Sequence, residues 1–218
     1  MVKYGGMRIR PVGAHALLLD CAASSPPDTL DVAARVEGWR AELWRRRERG
    51  ELIAVEIVPA ATTVLLDGVP DPTATAALLA GWTPTPATTT AAAPTVEVPV
   101  TYDGEDLPTV ADHWDVDVPT VVERLAGTSF RVAFCGFAPG FAYLTGLPAE
   151  LAVPRLPSPR PRVPAGSVAL AGPYAGIYPS ASPGGWLLVG RTTVTLFDVT
   201  ADPPARLGPG TRVRLAPA

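Results

Sequence analysis

FRVAFCGFAPGFAYLTGL, residues 130–147, decides how the second half of this chain folds. Its first eight residues form a short run rich in aromatic and β-branched side chains, which reads as a strand. Ala138-Pro139-Gly140 then interrupts the run, because proline removes a ladder donor and glycine marks a sharp turn. The same alternation of apolar run and Gly/Pro punctuation returns in SVALAG at 167–172, WLLVGRTTVTLFD at 186–198 and TRVRLA at 211–216. Several short strands separated by turns predict a mainly-β barrel or sandwich. No period of 20–50 residues repeats, which excludes solenoids and propellers.

Upstream, VEVPVTY at 96–102 reads as a strand, and LPTVADHWDVDVPTVVERLAG at 107–127 as two short helices, the second with Pro119 just inside its start. TPTPATTTAAAPT at 83–95 is a low-complexity stretch and the expected linker. Before it, HALLLD at 15–20, LIAVEIV at 52–58 and TTVLLDG at 62–68 are strand-like. Between them Val32, Val36, Trp39 and Leu43 recur at helical spacing, with Asp28 or Thr29 as N-cap. Arg45, Arg46, Arg47 and Arg49 load that helix's C-terminal turn as a solvated, dipole-compensating end. A further short helix is expected over 72–81. The expected organisation is a small α+β domain at 1–82, a linker at 83–95 and a mainly-β domain at 96–218.

Composition narrows the function classes. The 218 residues carry a net charge of −3, and the single basic helix end at Arg45, Arg46, Arg47 and Arg49 is poor support for nucleic-acid binding. No apolar run reaches the ~20 residues that span a bilayer, and MVKYGGMRIR lacks the apolar core of a signal peptide, so a cytoplasmic protein is expected. Cys21 and Cys135 stand far apart, and His15 and His113 have no ligand-type neighbours, so no metal site is expected. There is no GxxxxGK[ST] phosphate loop, no GxGxxG fingerprint and no GxSxG elbow.

Three loops in the β-rich half carry the candidate site. In GFAPGFAYLTGL at 136–147, Phe137, Phe141 and Tyr143 read either as a concave apolar wall or as an aromatic core plug, with Pro139 and Gly140 shaping the turn. In PRLPSPRPRVPAGSVALAG at 154–172, Arg155, Arg160 and Arg162 lie between prolines, and Gly166 and Ser167 lead into the next strand. A guanidinium held by stiff backbone suits capture of a carboxylate or phosphate; an ordinary solvated arginine is the alternative. Arg162, beside the strand entry, is the foremost candidate of the three. In GIYPSASPGGWLLVGRT at 176–192, Tyr178 and Ser182 offer hydroxyls, and Gly184-Gly185 exposes backbone N–H groups beside Trp186. Such a loop either cradles an oxyanion or makes a tight turn with Trp186 in the core.

Taken together and in this order, the three loops, followed by LFD at 196–198 and PGTRVRL at 209–215, resemble the smaller subunit of bacterial ATP-dependent 5-oxoprolinases. That family is also labelled KipI-type or allophanate hydrolase subunit 1. The resemblance covers about Val96 to Leu215 and implies a cyclophilin-like β-barrel for the second domain. It further implies a subunit inactive alone, acting with a homologous cyclophilin-like subunit and a third component to open the 5-oxoproline lactam to glutamate, with ATP consumed by the complex. The chemistry of the three loops makes Arg162, Ser167, Tyr178 and Ser182 the candidate catalytic set. It makes Phe137, Pro139, Gly140, Phe141 and Tyr143, with Gly166, Gly184, Gly185 and Trp186, the candidate substrate wall. Related modules in urea carboxylase make a carboxyltransferase the alternative, although no biotin-carrier segment is present, and one relative suggests an inhibitor of a sensor histidine kinase. The chain departs from the family at Leu125, where relatives often carry histidine, and at Ala142, where they usually carry proline.

Overall fold

Leu17, Leu19, Val64 and Leu66 are fully buried while residues between them are not, and this two-residue period builds the first sheet. The computed structural model describes residues 2–4, 7–22, 32–84 and 95–218. Its chain divides into two compact units, Met1–Ala91 and Ala92–Ala218.

The first unit contains β1 (Val2–Tyr4), β2 (Met7–Val12), β3 (Ala16–Asp20), α1 (Val32–Glu48), β4 (Glu56–Pro59), β5 (Thr63–Asp67) and α2 (Pro72–Ala80). The strands pair antiparallel in the order β1-β2-β3-β5-β4. Val36, Trp39 and Leu43 of α1 bury against the same core as Leu17 and Leu66, as their spacing predicts. Each such buried side chain contributes roughly 1.5–3 kcal/mol. Residues 52–55 are not strand: β4 begins at Glu56. Asp71 caps α2, accepting from the Ala74 amide at 2.9 Å.

The arginines that close α1 are more engaged than a solvated helix end. Arg46 pairs with the buried Glu42 and with Glu51 and lies 4.6 Å over the Trp82 ring, while Arg47 covers Trp44 at 3.8 Å. Glu42, 2% exposed, draws both Arg45 and Arg46 because a buried carboxylate requires a counter-charge. The expected N-cap at Asp28 or Thr29 lies outside the described residues, as does most of the expected linker.

The second unit contains β6 (Thr95–Val100), α3 (Leu107–Trp114), α4 (Val118–Gly127), β7 (Phe130–Cys135), β8 (Ala142–Thr145), β9 (Arg160–Val163), β10 (Ser167–Ala171), β11 (Tyr174–Ile177), β12 (Ser182–Gly184), β13 (Leu187–Arg191) and β14 (Arg212–Pro217). Seven strands form one sheet in the order β13-β10-β11-β8-β7-β14-β6. Its two ends meet: Thr101, just beyond β6, exchanges both backbone hydrogen bonds with Arg191 at the end of β13, each 2.9 Å. The result is a nearly closed barrel. β6 pairs with β14 in parallel, and Pro99 is tolerated there because β6 takes a partner on one side only for most of its length. The strand expected at 186–198 ends at Arg191.

One face of this sheet carries Val98, Leu144, Val168, Leu170, Ile177, Val189 and Leu215, with Val110 and Trp114 of α3 and Val121 and Leu125 of α4 in the same cluster. α4 starts where Pro119 predicts, with Asp117 accepting from the Thr120 amide at 2.9 Å. Intervening residues of β8, β10, β11 and β13 point to the opposite face, where Tyr143, Ala169, Tyr174 and Leu188 join a second, aromatic cluster. A separate ribbon of β9 and β12 pairs antiparallel, Ser182 facing Val163 and Gly184 facing Arg160.

Candidate functional site

Phe141 is the hub of the aromatic cluster. It is 1% exposed and meets four rings: Phe137 at 5.3 Å, Tyr143 at 5.0 Å, Tyr178 at 5.3 Å and Trp186 at 5.5 Å between centroids. Three of the four contacts are edge-to-face, the arrangement ring quadrupoles favour. A bulge explains a sixth ring. Val132 pairs with Leu144, but Phe134 pairs with Tyr143, so Ala133 is an extra residue that turns Phe134 onto the aromatic face. There it stacks on Tyr143 at 4.3 Å and 18°.

Above this floor opens a recess of about 130 Å³. Phe137, Phe141, Tyr143, Tyr178 and Trp186 form its walls, and Pro183, Gly184 and Gly185 its rim, with Arg155 at the edge. Drug-sized sites usually exceed ~300 Å³, so this recess admits a small molecule or one end of a larger one. Both readings of the first loop are realised: Phe141 plugs the cluster while Phe137 stands 62% exposed at the mouth. Phe137 also has φ +69°, a left-handed backbone that side chains rarely adopt and that tends to occur at functional sites.

Tyr178 is 2% exposed. Burial pushes its hydroxyl above the ordinary tyrosine range and the neighbouring Tyr143 adds to this, while the Arg155 and Arg160 charges and a hydrogen bond with the Trp186 backbone pull the other way. At neutral pH it is a phenol able to donate a hydrogen bond. Gly184 exists to let it in: a Cβ at that position would fall 2.2 Å from the Tyr178 hydroxyl.

The three proline-flanked arginines take different places. Arg160 turns inward, its Nη2 on both oxygens of the buried Asp106, its Nε on Glu105 at 2.8 Å and its Nη1 on the Trp186 carbonyl at 3.3 Å. Asp106 also accepts from the Leu188 amide and thereby ties the start of α3 to β13. Arg162 is exposed on β9 and is not among the recess residues; Arg155 is.

The remaining candidates surround the recess without lining it. Gly140 closes the 136–141 turn, and Pro139 precedes it. Ser167 is buried at the start of β10, where its carbonyl accepts from the Tyr178 amide at 2.9 Å. Gly166, at φ +80°, lies so close to the Thr192 carbonyl that a Cβ would approach it to 2.1 Å. The Ser182 hydroxyl is buried without a hydrogen-bond partner among the described residues. Leu125 is fully buried in the interior cluster, Ala142 joins it there, and neither touches the recess. Both histidines are exposed, and the described residues hold no cluster of potential metal ligands. No helix among the described residues is long and apolar enough to cross a membrane.

Residues 7–207 match the family described as the carboxyltransferase domain, subdomain C and D, and the chain belongs to that family. It is similar to the B subunit of 5-oxoprolinase from Escherichia coli O157:H7, 47% identical over 56% of this chain and 57% of that protein. The B subunit of the Bacillus subtilis strain 168 enzyme is 43% identical over 55% of this chain and 51% of its own length. The matched part thus spans only about half the length of these curated relatives. Among solved structures, TTHA0988 aligns with a TM-score of 0.74 at 34% identity, over 97% of this chain and 40% of that one. The urea carboxylase of Kluyveromyces lactis shares the fold, with a TM-score of 0.66 at 18% identity over 97% of this chain and 22% of that one.

Proposed function

We propose that this chain is a subunit of an ATP-dependent 5-oxoprolinase, a hydrolase that opens the 5-oxoproline lactam to glutamate, and that it is inactive alone. The observation that carries this reading is the likeness to the B subunits of 5-oxoprolinases across the segment holding an aromatic recess sized for a small ring. A homologous cyclophilin-like subunit and a third component complete the assembly, which works in the cytoplasm, and the barrel described above is this chain's own cyclophilin-like domain.

An unstrained lactam amide resists water. Phosphorylation of its carbonyl oxygen by ATP activates the carbon, and water adds there. The ring C–N bond then breaks as the nitrogen takes a proton, and hydrolysis of the acyl phosphate so formed gives glutamate and phosphate. The recess, with a single arginine at its edge, does not fit a triphosphate, so ATP is assigned to another part of the assembly. In this chain the aromatic walls hold the lactam ring by apolar contact and leave the mouth of the recess to the attacking water. Tyr178 donates from its neutral hydroxyl to the lactam carbonyl, and the Gly184-Gly185 backbone N–H groups stabilise oxyanion character as it develops. Donors of this kind are worth roughly 2.7–4 kcal/mol each in enzymes of other classes. Ser167 and Ser182, the latter with a hydroxyl unpartnered among the described residues, orient polar groups of the substrate, and no biotin is involved.

A carboxyltransferase acting on a urea derivative is the second reading, favoured by the name of the matching family. Release of glutamate from 5-oxoproline and ATP, measured with the chain alone, with its homologous partner and with all three components, separates the two. Turnover confined to the complete mixture is the expected result; carboxyl transfer to urea without lactam opening would replace the first reading by the second.

A further inference from the structure

We propose that Arg155 binds the carboxylate of a small cyclic acid seated in the aromatic recess. This rests on the lactam reading above and gives the site its selectivity for acids.

Arg155 is the one charged side chain among the described residues lining the recess. Its guanidinium makes no ion pair and no hydrogen bond among the described residues, in contrast to Arg160, which is consumed by Glu105 and Asp106. A guanidinium with no hydrogen-bond or ion-pair partner among the described residues, at the lip of an apolar wall, offers parallel donors for a planar carboxylate.

The backbone carrying Arg155 is fixed from both sides. Two residues earlier, Val153 exchanges hydrogen bonds with Gly172, at 3.3 and 2.7 Å. One residue later, the Leu156 amide donates to the Gly185 carbonyl at 2.8 Å, next to Trp186. Pro154 stiffens the short span between these staples. The guanidinium carbon lies 6.0 Å from the Trp186 ring centroid, and its charge reaches the Tyr178 hydroxyl. Since Tyr178 stays neutral, no anion in the recess competes for Arg155. A ring lying against Phe141 and Trp186 with its carboxylate outward meets the guanidinium; Arg162, exposed on β9, is not among the residues around that space.

The test measures binding of three probes to the full chain, alone and with the homologous subunit, by calorimetry. The probes are 5-oxoproline, 2-pyrrolidone, which lacks the carboxylate, and cyclopentanecarboxylate, which lacks the lactam. The wild-type chain should prefer both acids to 2-pyrrolidone by about tenfold or more, as a charge-assisted hydrogen bond allows. Arg155→Ala should abolish that preference with an unchanged thermal midpoint, and Arg155→Lys should restore part of it. A preference that survives Arg155→Ala, that follows Arg162→Ala instead, or that is absent from the wild-type chain overturns the assignment. If both acids bind through Arg155 but the lactam adds nothing and the complete assembly releases no glutamate, Arg155 stands and the 5-oxoprolinase reading falls.

Discussion

Arg160 Nη2 bridges both carboxylate oxygens of Asp106, at 2.8 and 2.9 Å, across 54 positions of sequence. The pair is largely buried and holds the β9 ribbon, the start of α3 and the Trp186 carbonyl in one arrangement. Arg160→Met should destabilise the chain by about 2–3 kcal/mol, because the Asp106 carboxylate is left without its counter-charge. Adding Asp106→Leu should recover part of that loss. Urea melts of the two single variants and the double variant measure the coupling, and strict additivity would show that the pair contributes nothing.

Phe137 combines a left-handed backbone with an exposed ring. Phe137→Gly removes the strain while sacrificing little buried surface, so the thermal midpoint should hold or rise, by the equivalent of about 1 kcal/mol. Ligand binding should weaken because the mouth of the recess loses a wall. A variant that melts earlier yet binds normally would mark the ring as structural.

Adjacent glycines at the rim should respond differently to alanine. At Gly184 the new methyl would collide with the Tyr178 hydroxyl, whereas at Gly185 the nearest atom is 3.6 Å away, an ordinary contact. Gly184→Ala should therefore displace Tyr178, lower its pKa toward the ordinary value as the ring gains water, and abolish binding. Gly185→Ala should remain near wild type. Spectrophotometric titration of the tyrosines distinguishes the two.

High pH should destabilise the chain through Tyr102, whose hydroxyl donates to the Leu215 carbonyl at 3.0 Å and is pushed up to about 12 by burial. The folded state keeps this proton when the unfolded chain, ionising near pH ~10, has lost it. Stability from this group is therefore complete below the unfolded value and falls as pH rises from there through about 12. Tyr102→Phe should cost about 1 kcal/mol at pH 8, the lost hydrogen bond, and flatten the alkaline decline. Denaturant melts between pH 8 and pH 11 record both effects.

Much of the architecture was legible because burial imposes a period of two on strands and of 3.6 on helices. Leu17 and Leu19, Val64 and Leu66, and Val36, Trp39 and Leu43 all follow it. The strand at Met7–Val12 does not stand out in the sequence although Met7 and Ile9 alternate, since Arg8, Arg10 and Pro11 dilute the signal. Phe134 could not be placed, because its orientation depends on a bulge at Ala133 that alternation does not encode. The recess itself was partly legible: Phe137, Phe141, Tyr143, Tyr178 and Trp186 converge as their loops suggested. Sorting Arg155, Arg160 and Arg162 was beyond local pattern. All three sit between prolines, and their different surroundings are set by Gly185, Asp106 and the β9 pairing, residues remote in sequence.

The contact between Thr101 and Arg191 makes the barrel a cuff fastened by one button. Every other pair of neighbouring strands is joined through a longer ladder, but this seam has a single residue pair, reinforced at the surface by Arg191 Nε on Asp103 at 2.9 Å. Local opening follows the fewest hydrogen bonds, so the cuff loosens there first. β13 is one margin of that seam, and Trp186 immediately precedes it. Breathing at the button thus reaches the aromatic recess along a single strand, and a protein partner clasping this edge would tighten the binding site without touching it.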